Sequence, residues 1–450
     1  MKPSKTTPPD RAGALLDWGK YVKAIQGCRP LRQEGRVLQA AGLVLEASGP
    51  PLCVGSLCAV DTPEGRRIPV EIVGFKDKRV IAMPLGEVKG IKPGSRMLDL
   101  NKTSSIPVGE GYLGRVIDGL GCPLDERGPV PCRQEYPVYG SSLNPLRRKI
   151  IREVLDVGVR SINALMTVGK GQRIAIMSGS GVGKSVLMGM IARNTEAPVN
   201  VIALIGERGR EVREFLEGSL GDSGLRKSVV VVATADASPL VKIRAAHVAT
   251  ALAEYFRDQG RDVILMMDSI TRFAMALREK GLAAGEPPSA KGYTPSVFTE
   301  IPKLLERAGT LEGGGSITGI YTVLVEGDDM NEPIADSVRS VADGHIVLSR
   351  ALAQKGHFPA VDVMASISRV MTEIVTADHL RWARTMVKTL SVFREAEDLI
   401  NIGAYADGSD PDIDDAKKRI GKIRAFLQQG MEEKTNFLES VSGLREVFEG

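Results

Sequence analysis

The sequence predicts an α/β chain in three parts: a small N-terminal β-barrel, a central domain built on a parallel sheet, and a C-terminal helical domain. Three observations predict it. Between about residues 35 and 100, short β-rich runs are broken by Gly and Pro. Between about 150 and 371, near-continuous apolar runs alternate with helical stretches, the pattern of a parallel sheet covered on both faces. After Thr372 the strand pattern stops and helical patterns remain. The 450 residues suffice for about three domains at ~150 residues each.

In chain order, residues 1–9 hold three prolines and two lysines and are expected to stay flexible. Leu15, Trp18, Val22 and Ile25 then recur at three- and four-residue steps, with Arg11, Lys20 and Lys23 elsewhere: a short basic amphipathic helix. Such a helix serves equally to pack on its own barrel or to dock on a partner or an anionic membrane face. It closes a basic N-terminus over 1–30. The barrel follows over 31–100, with strands expected at Arg36–Glu46, Gly55–Val60, Ile68–Phe75 and Arg79–Leu85. A glycine-rich connector, YLGRVIDGLGCPLD (Tyr112–Asp125), lies early in the central unit, 101–371. Strands are expected there at Arg173–Met177, Val199–Ile205, Ser228–Thr234, Val263–Met267, Ile317–Val325 and His345–Leu348, with helices such as Leu240–Gln259 between them. Helices at Asp378–Asn401 and Ile413–Gln429 define the last unit, 372–450.

Composition excludes several classes. Hydrophobic residues at 43% and charged residues at 25% are an ordinary globular balance, which removes collagenous and wholly disordered chains. The formal charge of +4 is too small for a protein coated in basic surface for duplex binding. That charge is uneven: residues 1–36 carry +5 and the other 414 sum to −1, so an electrostatic partner is expected at the N-terminus. Cys28, Cys53, Cys58, Cys122 and Cys132 lack metal-ligand spacing, as do His247, His345, His357 and His379. Reduced thiols in a cytoplasmic protein fit best. No apolar run approaches the ~20 residues needed to span a bilayer, and Met1–Asp10 has no apolar stretch of a secretory signal.

The chemistry begins at Ser178–Ser185, which reads SGSGVGKS after one expected strand and before a helical run. A phosphate-binding loop (P-loop) needs that context, a strand delivering a glycine-rich turn into a helix whose free N–H groups face phosphate. Gly179, Gly181 and Gly183 allow close backbone approach, with Ser180 and Val182 between them. Lys184 would reach the β- and γ-phosphates and Ser185 would offer its hydroxyl to Mg²⁺. Ser178 stands where the strict pattern has glycine. Asp268 ends the apolar run VILMMD, where a carboxylate can hold the water shell of Mg²⁺ or cap the next helix. Glu207, in IGERGRE after the strand Val199–Ile205, would approach the γ-phosphate if that strand neighbours the loop strand. Glu211 and Glu214 read as helix-start acids, and spacing alone does not separate the three.

These residues resemble a known family. The order SGSGVGKS, GERGRE, DSITRFA and PAVDVMASISR (Pro359–Arg369) is similar to the hexameric ATPases related to the catalytic subunit of F-type rotary ATP synthases. GEPPSAKGYTPSVF (Gly285–Phe298) is closer still to the type III protein export ATPases. AAGLVLEASG (Ala40–Gly49) and NIGAYADGSDP (Asn401–Pro411) resemble the flagellar member more than the injectisome one. The resemblance implies a RecA-like central domain and ATP with Mg²⁺ as the nucleotide complex. It puts Glu207 on the catalytic glutamate, Arg208 on an arginine near the γ-phosphate, and Arg369 on an arginine finger that enters the neighbouring subunit's site. Phe358 falls where the family stacks an aromatic on adenine, and a core aromatic is the other reading. The resemblance further implies a homohexamer, a stator-like regulatory protein bound at the N-terminus, and a central coiled-coil stalk. Export-gate proteins at the inner membrane, chaperone–substrate complexes and a peripheral membrane contact complete the expected partners.

The expected activity is therefore ATP hydrolysis energising export of flagellar proteins, with an injectisome ATPase as the alternative. A nucleic-acid ring translocase would need a basic, aromatic-bearing face, which a body at −1 with 4% aromatics does not offer. No nucleic acid is expected. A non-catalytic subunit would not need Glu207 and Arg369 in one chain.

Overall fold

The computed structural model of the chain describes residues 33–100, 104–132, 134–325 and 329–449, with Trp18, Tyr21 and Val22. Those three residues are helical and exposed; the remainder of the basic amphipathic segment lies outside the described residues. Six antiparallel strands close a barrel: β1 (Glu34–Ala41), β2 (Val44–Ala47), β3 (Leu57–Asp61), β4 (Arg67–Lys76), β5 (Arg79–Pro84) and β6 (Arg96–Asp99), in the order β1-β2-β5-β4-β3-β6. The run expected as one strand, Arg36–Glu46, folds instead as a hairpin. Gly42 sits at φ +58, a left-handed turn that a glycine adopts without strain, and no alternation in the sequence marks it. Alternate residues, among them Val37, Leu45, Val60, Val70, Ile72 and Val80, fill the interior.

A ribbon of β7 (Ser105–Val108) and β9 (Gln134–Pro137) leads into the central unit. The glycine-rich connector, to which the sequence assigns no strand, contributes β8 (Arg115–Asp118), which pairs in parallel at one edge of the large sheet. Four residues are too short to register as a strand in sequence; the Arg115–Asp125 ion pair at 2.6 Å folds the glycine-rich remainder back on it. The rest of the sheet comprises β10 (Arg173–Ser178), β11 (Val199–Glu207), β12 (Ser228–Thr234), β13 (Asp262–Asp268), β14 (Gly309–Thr310), β15 (Ser316–Leu324), β16 (Gly344–Leu348) and β17 (Val361–Ser368). Its order is β17-β16-β10-β15-β13-β11-β12-β8, parallel throughout except for β17 and the short β14.

Two cores follow from the two faces. One gathers the helices Pro239–Asp258, Ile270–Ala283 and Pro295–Leu305, with Ala249, Leu252, Phe256, Phe273 and Ile301 against the sheet. The other gathers the helix Lys184–Asn194 and the C-terminal helices Ala377–Asn401, Pro411–Leu427 and Phe437–Glu449. No helix among the described residues is long and apolar enough to cross a membrane.

One buried ion pair ties the first core together. Arg307 donates to Glu254 at 2.9 and 2.6 Å and to the Val138 carbonyl at 2.9 Å. Burial and the Arg307 guanidinium push the pKa of neighbouring His247 well down, so that ring is neutral and structural. Removing one partner of such a pair strands a charge in the interior, at about 3–5 kcal/mol. Arg307→Met should therefore lower the urea midpoint steeply, and adding Glu254→Leu should recover most of the loss; a single variant as stable as the parent would contradict the assignment.

Candidate active site

The parallel register brings the carboxyl ends of β10, β15, β13 and β11 to one edge of the sheet, with Ser178 level with Leu324 and Leu204 with Asp268. From Ser178 the chain turns through Gly179–Gly183 into the helix Lys184–Asn194. Gly181 and Gly183 take φ +77 and +90, conformations that side chains disfavour. Ser178 still belongs to the strand, so the turn starts after it and a serine there is accommodated. A cleft of about 640 Å³ opens over these ends and is lined by Gly179, Ser180, Gly181, Gly183, Lys184, Ser185, Glu207 and Arg208. Val182 instead points into the core beneath it.

The expectation that Glu207 comes from a strand beside the loop strand is corrected by the sheet order. β15 and β13 stand between β10 and β11, and β15 alone separates Asp268's strand from β10. The carboxylates still converge because Lys184 projects across the strand ends. Its Nζ lies 2.5 Å from Asp268 Oδ1 and 3.7 Å from Glu207 Oε1. Thr322, at the end of the intervening β15, donates to the same Asp268 oxygen at 2.7 Å. Asp268 is not the helix cap: Ser269 accepts the N–H of Arg272 and caps the helix Ile270–Ala283. Glu207 likewise belongs to the end of β11, ahead of the helix Gly209–Glu214.

Burial, then the charge of Asp268, pushes the Glu207 carboxyl up to about 7 against the pull of Lys184. Glu211 is held below the usual range chiefly by its hydrogen bond with Glu207. The two neighbouring acids are thus pushed in opposite directions, Glu207 toward its protonated form and Glu211 toward its ionised form. Arg208 is exposed, lines the cleft and lies 3.8 Å from Glu211.

For a metal the site offers oxygen only. The Ser185 hydroxyl lines the cleft, and both contacts of the Asp268 carboxylate fall on Oδ1. Among the described residues no group of three or more His, Cys, Asp or Glu forms a metal cage. So sparse a set of hard donors fits Mg²⁺, which keeps several waters and takes further ligands from phosphate.

Two of the expected site residues stand apart from this cleft. The Phe358 ring lies 3.7 Å from where a Cβ on Gly183 would be, behind the loop and nearly half exposed. It is not a core aromatic. Arg369 follows β17, whose end pairs with the start of β16 beside Ile174. It is therefore at the opposite end of the parallel strands from Ser178, roughly 13 Å away along the strand direction. Its guanidinium is exposed and makes no ion pair among the described residues. Thr322, Arg272, Lys242 and Glu279 belong to the cleft or its support and were not read from the sequence. Arg272 could have been, since it sits in the first turn after Asp268, where a long side chain reaches back over the strand ends.

A phosphate loop opposed by two strand-end carboxylates on a parallel sheet defines a P-loop nucleoside triphosphatase. The ATP synthase alpha/beta family matches by its beta-barrel domain over residues 37–101 and by its nucleotide-binding domain over 158–368. The T3SS EscN ATPase C-terminal domain matches over 375–446. The chain is 53% identical to the flagellum-specific ATP synthase of Bacillus subtilis, covering 94% of this chain and 97% of that one. It is 47% identical to the type 3 secretion system ATPase of Xanthomonas euvesicatoria, over 92% and 94%. Among solved structures, the assembled ATPase EscN of the enteropathogenic E. coli type III secretion system superposes with TM-score 0.87 at 44% identity, over 92% of this chain and 99% of that one. The same ATPase in complex with its central stalk EscO gives 0.85 at 43%. The chain belongs to the ATP synthase alpha/beta family, in the branch of the type III export ATPases, and is an ATP hydrolase.

Because the folded chain holds the Glu207 proton more tightly than the unfolded chain, this group favours the fold at low pH, and the benefit is lost as pH rises through about 7. Nucleotide-free protein should lose urea stability across that range, and Glu207→Gln should lose distinctly less. Parallel pH profiles for the two proteins would refute the burial of the carboxyl.

Proposed function

We propose that the chain is the Mg²⁺-dependent ATPase ring that energises flagellar type III protein export. The observation that carries this reading is the split of the catalytic set. Lys184, Asp268 and Glu207 meet at one end of the sheet, while Arg369 stands at the other and so serves a neighbour. A homohexamer with its nucleotide sites at the seams satisfies both halves.

Within a seam the phosphate loop, Gly179–Ser185, cradles the triphosphate through its N–H groups, and Lys184 leaves Asp268 and Glu207 to meet the β- and γ-oxygens. Ser185 and Asp268 would hold Mg²⁺, which supplies charge neutralisation on the phosphate oxygens. Glu207 orients a water in line with the γ-phosphorus and takes its proton as the new P–O bond forms and the bond to the β-phosphate oxygen breaks. A carboxyl poised near 7 is matched to that transfer. Arg208 and the neighbour's Arg369 face the charge spreading over the transferred group, a contribution of about 10³–10⁵ in comparable systems. Phe358 stacks on the base behind Gly183.

The flagellar assignment is supported by the names of the relatives from Bacillus subtilis and Pseudomonas aeruginosa. An injectisome role is favoured by the likeness to EscN and remains the second reading. The complex of EscN with its central stalk supports a coiled-coil partner in the ring, for which the exposed Leu399 and Ile402 at the tip of the C-terminal hairpin are suited. The basic segment over 1–36 suits a stator-like regulator or anionic lipid at the inner membrane, below an export gate that receives chaperone–substrate complexes.

Glu207→Gln should bind ATP without hydrolysing it, and Arg369→Ala should do the same. Mixed at equal amounts and allowed to assemble, the two inactive proteins should recover about a quarter of the parental rate, because one seam in four carries both intact groups. Phosphate release by the mixture measures this; no recovery would place Arg369 outside the neighbour's site. Deleting the gene should abolish filaments and motility, and intact motility would turn the assignment to the injectisome.

A further inference from the structure

The backbone at Phe358, beside the phosphate loop, is tied to the helical domain through Gln429. Gln429 lies two residues beyond the helix Pro411–Leu427 and is 5% exposed. Its backbone N–H donates to the Phe358 carbonyl at 3.0 Å. Its amide is fully engaged: Oε1 accepts the Arg160 N–H at 2.7 Å, and Nε2 donates to the carbonyls of Gly158 and Glu433, both at 2.9 Å. The backbone holding Phe358 beside Gly183 is thus fixed by a residue that itself cannot turn. A buried amide meeting all its partners has one orientation, and replacing it leaves backbone groups unpaired.

The same segment grips the other end of the phosphate-loop helix. Arg193, in the last turn of Lys184–Asn194, donates to the Met431 carbonyl at 2.5 Å. Arg160 Nη1 binds the carbonyls of Phe426 and Gln428, both at 3.2 Å, closing the end of the hairpin helix on the central domain. The segment after the hairpin Ala377–Leu427 therefore touches Phe358 at one end of that helix and Arg193 at the other.

We propose that Gln429 is a positioning residue that sets the affinity for the base of the nucleoside triphosphate by holding Phe358 against the phosphate loop. This rests on the reading of Phe358 as the base-stacking ring. Gln429 touches no nucleotide itself. Its influence is confined to ligands that carry a base, whereas the phosphate contacts of Lys184 and the loop glycines stand without it.

The experiment uses full-length, assembled protein and two ligands, ATP as substrate and inorganic tripolyphosphate as a competitor without a base. Gln429→Leu should raise the half-saturating ATP concentration about tenfold, the scale of one lost stacking contact, with kcat held within about twofold. Inhibition by tripolyphosphate should be unchanged. Phe358→Ala should raise the same ATP concentration, and the double variant should be no worse than Phe358→Ala, because the two act as one unit. If Gln429→Leu does not assemble, Gln429→Glu is judged by the same criteria, since it keeps the volume and the bond from Arg160 but loses the two donated ones. The inference is overturned if Phe358→Ala weakens ATP and the Gln429 variant does not, if their effects add, or if tripolyphosphate weakens in step with ATP. If Phe358→Ala leaves ATP affinity intact, the stacking reading itself falls, and this inference with it.

Discussion

A single ammonium group, that of Lys184, stands against two carboxylates at the edge of a parallel sheet, and the remainder of the molecule exists to keep that meeting place in register. Asp268 and Glu207 come from β13 and β11, separated from the loop strand by β15. Only the alignment of strand ends, residue by residue, lets one lysine reach both. A shift of one residue in any of these ladders would turn its side chains to the other face. Two separate cores, one on each face, resist such a shift. Before nucleotide arrives the ammonium partly neutralises the carboxylates, so the site does not carry two unopposed buried charges.

Much of this was legible in the sequence because the relevant signals are local. The loop SGSGVGKS, the apolar run ending in Asp268 and the three-part change of periodicity each lie within a few consecutive residues. The strands expected at Ser228–Thr234 and Val199–Ile205 stand out as near-continuous apolar runs, since both faces of a covered sheet are dry. What could not be read was adjacency. Nothing in the order of segments says that β15 inserts beside β10, or that Thr322 ends beneath Asp268. The strand β8 is four residues of a glycine-rich connector, and its pairing comes from the edge it lands on. The Gly42 turn escaped for the opposite reason: the residues on both sides of it are apolar and read as one run.

The site residues divide along the same line. Glu207 was separated from Glu211 and Glu214 only by position in space, because all three are acids near the start of a helix. The structure puts Glu207 at a strand end and leaves the others on the helix that follows. Arg369 was recognised by motif, yet its sense depends on topology. Since β17 runs antiparallel to β16, the chain carries it away from its own phosphate loop, and a side chain a few ångströms long does not cross that gap.

The closed barrel has a consequence of its own. Extended polypeptide carries spare amide and carbonyl groups that pair with any open strand edge. A six-stranded sheet joined β6 to β1 has no such strand to give. An extended segment that meets this part of the molecule finds no open edge to lengthen, so the barrel does not template strand addition.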